Sequence, residues 1–188
     1  MRGVVRAATV IVMVVGVVAL GLKPTSSAPG PAAAQQANLK RAAVVLAFFD
    51  ALNRGDAAAA ASGFAENGFM IGAAAQGLCS LEAPCYDQAK IRANIDVLVK
   101  IPHLCETVTS LQVIGSFVIG RVEVRQDRLR GNGIERIVQS FMTQVLQDKI
   151  AAYFGRNDLA DPETARNAAI AAGTQPAGTS IATAPPCG

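Results

Sequence analysis

The feature that most constrains this chain is a change of apolar period at Cys105. Before it, Val45, Phe48, Phe49 and Leu52 recur at three- and four-residue spacing, as do Ile91, Ile95 and Leu98, which is the pattern of helices with one apolar face. After it the period falls to about two, Val, Ile and Thr become frequent, and turn residues recur at regular intervals. The spacing predicts strands over Glu106–Ile114, Phe117–Asp127, Ile134–Leu146 and Lys149–Arg156, divided by Gly115-Ser116, by Arg130-Gly131-Asn132-Gly133 and by Gln147-Asp148. Connections this short join antiparallel neighbours, because parallel strands need a crossover of about a dozen residues or more. Helices followed by an antiparallel sheet make an α+β domain.

Local signals place the breaks. Asn53-Arg54-Gly55 stops the first helix, since glycine accepts the left-handed cap conformation. Asp56 caps a short helix over Ala57–Ala65, a brief strand covers Phe69–Ile71, and Asp87 caps a third helix that ends by Pro102. A last helical segment runs from Asp161-Pro162 to Ile170. The chain divides into a leader (1–34), a linker (35–37), one domain (38–170) and a low-complexity tail (171–188) expected to be disordered.

The leader has Arg2 and Arg6, an apolar run from Ala7 to Leu22, then Lys23 and a stretch rich in Pro, Ser and Ala, the order of an export signal. Cleavage after Ala34 would release a secreted or cell-envelope protein, and retention would leave an amino-terminal membrane anchor as the one contact with a membrane. Of 17 basic side chains three precede Gln35, and the remaining 14 balance 14 acidic ones. A neutral body lacks the basic footprint of a nucleic-acid binder. Export allows disulfides. Cys79 and Cys85 bracket a short loop and are the preferred pair, which leaves Cys105 with Cys187; a free Cys105 is the other outcome. One histidine and no close pair of cysteines offer no zinc site, and nothing in the sequence calls for a metal or a cofactor.

The segment Val44-Val45-Leu46-Ala47-Phe48-Phe49-Asp50-Ala51-Leu52-Asn53-Arg54-Gly55-Asp56, followed by Phe64-Ala65-Glu66-Asn67, resembles the opening of the nuclear transport factor 2-like superfamily, its exported SnoaL-like members above all. The helix at Ile91 and the closing Asp148-Lys149-Ile150 fall where that pattern has them. The resemblance spans about Asn38 to Ala168. It implies a cone-shaped, curved antiparallel sheet packed on three amino-terminal helices, around a pocket for a small, often apolar molecule, and an open sheet face that can pair a homodimer. The superfamily includes ketosteroid isomerases, polyketide cyclases, limonene epoxide hydrolases and non-catalytic proteins, so fold alone does not decide the reaction.

One constellation carries chemistry. Strand alternation puts Arg121, Glu123, Arg125 and Asp127 on one face and Val122 and Val124 on the other. With the charges inward, Arg125 would orient Asp127 as an acid/base group, and the Arg-x-Asp spacing resembles that of limonene epoxide hydrolases. The second carboxylate of that family falls here on Gly155, with Asp158 and Asp161 further on. With the valines inward, the charges form a solvated surface. His103 is a candidate base with Glu106 as its nearest carboxylate in sequence, Tyr86 and Tyr153 are candidate donors to a ligand carbonyl, and Phe49 is a candidate lining residue. The expected function is small-molecule binding without catalysis; the alternative is an isomerase, cyclase or epoxide hydrolase-type enzyme using Asp127 with Arg125.

Overall fold

The computed structural model describes residues 30–72 and 79–181. The expected leader up to residue 29, the loop 73–78, and the end of the tail with Cys187 lie outside the described residues. Helix α1 (Pro31–Asn53) starts earlier than the apolar pattern, because proline suits a first helical turn and the alanine-rich stretch behind it favours helix. It buries Val45, Phe48, Phe49 and Leu52, and the chain reverses at Gly55 with φ +70°. The Asp56 carboxylate accepts from the Ala59 amide at 2.9 Å to begin α2 (Ala57–Ser62).

Strands β1 (Phe64–Ile71) and β2 (Cys85–Tyr86) pair antiparallel beside a Cys79–Cys85 disulfide, the expected bond. Cys105 is disulfide-bonded as well. Asp87 caps α3 (Gln88–Leu98) through the Lys90 amide at 2.8 Å. Then come β3 (Cys105–Ile114), β4 (Phe117–Arg125), a short helix α4 (Asp127–Gly131), β5 (Ile137–Leu146), β6 (Lys149–Asn157) and α5 (Pro162–Ala171).

The sheet order is β2-β1-β6-β5-β4-β3. The hairpins β3–β4, β4–β5 and β5–β6 are antiparallel, as their short connections require. The expected cone of purely antiparallel strands behind three helices is corrected on three counts. The sheet is mixed, because β1 runs parallel to β6; it is open, with β2 and β3 at its edges; and only α1 and α2 precede the first strand, α3 following β2. Periodicity is local, whereas the pairing of β1 with β6 is set by most of the intervening chain. The expected strand through Asp127 also ends early, at Arg125, because the turn of α4 delivers Leu129 to the core at 3% exposure. Among the described residues no helix is long and apolar enough to cross a membrane; the expected amino-terminal anchor falls in the leader, outside those residues.

The core lies between α1 and the sheet face that carries Val118, Val122, Phe141, Val145 and Tyr153. Phe49 meets Phe141 at 5.2 Å between ring centroids, and Phe48 meets Tyr153 at 5.6 Å. Helix α5 is fixed to β5 at one end of the sheet. The buried Thr164 hydroxyl accepts from the Val138 amide at 2.7 Å, and Arg136 bridges Asp161 at 2.9 Å and Glu123 at 3.4 Å. The described part of the tail is tied to α4 and the turn after it by the Gly178 amide on the Asn132 carbonyl and the Ile181 amide on the Arg130 carbonyl.

Gly120 stands opposite Phe141 on β5, and a Cβ there would meet the Ser110 carbonyl oxygen and the Phe141 ring. Gly120→Ala is expected to lower stability by about 1–3 kcal/mol through overpacking, read by urea unfolding.

Candidate functional site

A cavity of about 340 Å³ opens between the inner sheet face and helices α1, α3, α4 and α5. Much of its wall is apolar, supplied by Phe48, Leu52, Leu98, Ile101, Leu104 and Ile170. Into it project Glu106, Tyr153, Gln126, Gln139 and Asn157. Among the described lining residues Glu106 is the sole carboxylate.

Glu106 is the second residue of β3 and stands opposite Val124 in the β3–β4 register, so it shares the inward face with the buried valines of β4. β3 is an edge strand, and the end of α1 completes its pairing. Asn53 donates from Nδ2 to the Glu106 carbonyl at 2.8 Å and accepts the Glu106 amide at Oδ1, also at 2.8 Å. A carboxyl set in this wall is poorly hydrated, and burial pushes it from the ordinary 4.5 up to about 7. The Tyr153 hydroxyl is raised far above its ordinary value, first by burial and then by the charge of Glu106. It therefore stays a phenol and a hydrogen-bond donor. At neutral pH the cavity thus holds a carboxyl poised between its two forms and a phenol that keeps its proton, a pair able to take up a proton and stabilise the charge that forms. Asn94 is buried in the α3 wall and accepts from the Cys79 amide at 3.2 Å, so the disulfide loop is anchored to the same cavity.

The residues singled out from sequence are scattered. Tyr153 lines the cavity. Phe49 is buried one layer behind, against Phe141 and Tyr153. Tyr86 is exposed on the edge strand, packed on Phe69 at 5.1 Å. Arg125 and Asp127 are not brought together: Arg125 donates to Glu123 at 3.0 Å, and Asp127 Oδ2 lies 2.7 Å from His103 Nδ1. Neither of them, nor His103, lines the cavity. The reason is strand parity. With Val122 and Val124 turned inward, Gln126 continues the inward series and Asp127 turns away to open α4. Gly155 faces Phe141, Asp158 pairs with Arg121, and Asp161 caps α5, so none supplies a second carboxylate to the cavity.

Sequence reasoning missed the place of Glu106 in the cavity wall, although a signal was present. Glu106 has the parity of Val108, which packs against the core, and Gln139 sits in the buried alternation Ile137, Gln139, Phe141, Thr143, Val145. A polar residue inside an otherwise apolar alternation is the mark that identifies both.

No family model matches this sequence, and no curated protein matches it. Solved structures do. The epoxide hydrolase/cyclase-like enzyme SalBIII, of pyran ring formation in polyether salinomycin, matches with a TM-score of 0.54 at 17% identity, over 67% of this chain and 96% of that one. An LEH-like epoxide hydrolase of M. tuberculosis gives a TM-score of 0.52 at 11% identity, over 73% of this chain and 98% of that one. An NTF2-like protein of unknown function from Mesorhizobium loti gives 0.52 at 13% identity, over 64% of this chain and 93% of that one. At such identities the likeness is one of fold: this chain is structurally similar to the NTF2-like superfamily, enzymes included.

Two outcomes follow from the clasp on Glu106. Asn53→Ala removes both hydrogen bonds and is expected to cost about 1–3 kcal/mol in urea unfolding. Because its folded-state value is raised, Glu106 holds its proton more tightly in the folded protein; that stability is fully present below pH 4.5 and is lost as pH rises through about 7. Between about pH 5 and pH 8 unfolding free energy should therefore fall by about 2 kcal/mol more in the native protein than in Glu106→Gln.

Proposed function

We propose that this chain is an acid/base enzyme of the isomerase, cyclase or epoxide hydrolase type, acting on a small and largely apolar molecule held in the cavity. The reading rests on a single observation, the carboxyl of Glu106 raised to about 7 in an apolar cavity beside a buried phenol. A group poised near neutrality is half base and half acid, which is the condition for moving a proton in both directions within one turnover. As carboxylate, Glu106 takes a proton from the substrate or from an attacking hydroxyl; as carboxylic acid it returns the proton to carbon or to oxygen. The Tyr153 hydroxyl donates a hydrogen bond to the oxygen on which charge develops, and being neutral it needs no counterion inside the wall. Fold likeness to an epoxide hydrolase and to an epoxide hydrolase/cyclase-like enzyme supports this class of chemistry.

In this account Glu106 takes the place of the Arg125–Asp127 pair. Asp127 faces His103 at 2.7 Å outside the cavity, where it braces the loop before β3 against α4. A panel of apolar enones and epoxides, assayed for proton exchange in heavy water and for ring opening, tests the assignment. Glu106→Gln is expected to lower kcat by about a hundredfold or more, Tyr153→Phe by about tenfold, and Asp127→Asn by less than about threefold. Activity retained in Glu106→Gln would rule out the proposed role and leave the cavity a binding site.

A further inference from the structure

The described part of the tail is a built element that buries almost nothing. After α5 the Thr174 amide donates to the Ala169 carbonyl at 2.9 Å, the Gly178 amide to the Asn132 carbonyl at 2.9 Å and the Ile181 amide to the Arg130 carbonyl at 3.0 Å. Residues 173–181 therefore cross from the end of α5 to the end of α4. Those helices and the turn after α4 supply Leu129, Asn132, Asn167 and Ile170 to the cavity wall. The crossing is close. A Cβ on Gly133 would meet the Thr179 carbonyl oxygen, and one on Gly178 would meet the Arg166 guanidinium. Apart from Gly178 every residue of the segment is exposed, so these hydrogen bonds alone hold it weakly.

A covalent tie lies in the direction the segment takes. From Asn132 to Arg130 it runs back along α4 toward Arg125, which stands opposite Cys105 in the β3–β4 register. Cys105 is disulfide-bonded, Cys79 and Cys85 satisfy each other, and the sequence has four cysteines, which leaves Cys187. Cys187 is six residues beyond Ile181, a reach of up to about 20 Å, while Arg130 is five residues from Arg125 with most of α4 wound between them. We infer that a Cys105–Cys187 disulfide makes the tail a redox-controlled strap, which holds the α4–α5 wall of the cavity closed when oxidised and releases it when reduced. Release takes a dithiol. One of its thiolates attacks the bond and the second resolves the mixed disulfide, so that two electrons and two protons pass to Cys105 and Cys187 as the dithiol becomes a disulfide. Cys79 and Cys85 are 0% and 5% exposed, whereas Cys105 is partly exposed on an edge strand. A dithiol thus meets the strap first. This inference goes beyond the reaction proposed for Glu106 and does not rest on it.

The test begins with peptide mapping of the chain purified without reductant, which is expected to join the peptide carrying Cys105 to the peptide carrying Cys187 within one copy. Rising dithiothreitol, with alkylation of each thiol released, should free that pair at a concentration lower by about tenfold or more than the one that frees Cys79 and Cys85. Hydrogen exchange read by mass spectrometry then follows the wall. After selective reduction the amides of residues 129–134 and 178–181 should exchange about tenfold faster, while those of β5 keep their rate within about twofold. Cys187→Ser should exchange like the reduced protein with no reductant present, which separates the strap from any effect on Cys79–Cys85. A bond from Cys105 to another copy, or equal sensitivity of the two disulfides, overturns the inference. So does exchange at 129–134 that reduction leaves unchanged. Acceleration that extends to β5 overturns it as well, since the bond is then a staple of the whole fold and not a latch on one wall.

Discussion

Asn53 closes both backbone groups of Glu106, one at each end of its carboxamide, and the position of the cavity's carboxyl depends on that clasp. The residue closes α1, the helix whose apolar face covers the sheet, and Glu106 lies near the start of the edge strand β3. An edge strand has one side of its backbone unpaired, and a helix end has carbonyls and little side-chain restraint. Joining them through one amide side chain sets the helix against the sheet at the point where the cavity opens. Without it, the start of β3 would lose its link to the end of α1.

A buried carboxyl is a standing cost, and the surrounding structure is arranged so that the cost is borne in the protonated form. Apolar walls penalise the ion, and among the described residues no salt bridge holds Glu106 in the way that Arg136 is held between Asp161 and Glu123. That second network has the opposite character. Asp161 is held below its ordinary value: burial opposes the shift, and the Thr164 amide and the Arg136 guanidinium overcome it. Its task is mechanical, since it caps α5 and fixes that helix to β5, so that Asn167 and Ile170 close one side of the cavity. The same types of side chain thus serve architecture where they are paired, and the proposed chemistry falls to the carboxyl set in the apolar wall.

Much of the architecture was legible in the sequence because it is written locally. The change of period at Cys105, the caps at Asp56 and Asp87, the helix after Asp161-Pro162 and the Cys79–Cys85 loop each depend on residues within a few positions of one another, and each appears where the pattern places it. The parallel partnership of β1 with β6 was not legible, since it joins segments separated by most of the domain. The two-residue strand β2 and the single turn of α4 were too short to raise a periodic signal. The site was half legible. Tyr153, a candidate from the sequence, lines the cavity, while the charged run from Arg121 to Asp127 lies on a face that the buried valines turn outward. Charge density marks a surface more often than a site, and the informative signal was the lone Glu106 at an inward position.

The most direct test of the account is the ionisation of Glu106 itself, followed by carbon-13 NMR of side-chain carboxyls across the pH range, with Glu106→Gln to assign the resonance. The account predicts one carboxyl with a midpoint near about 7, absent from the variant. A Glu106 resonance titrating at its ordinary 4.5 would contradict the buried acid, and with it the proposed chemistry of the cavity.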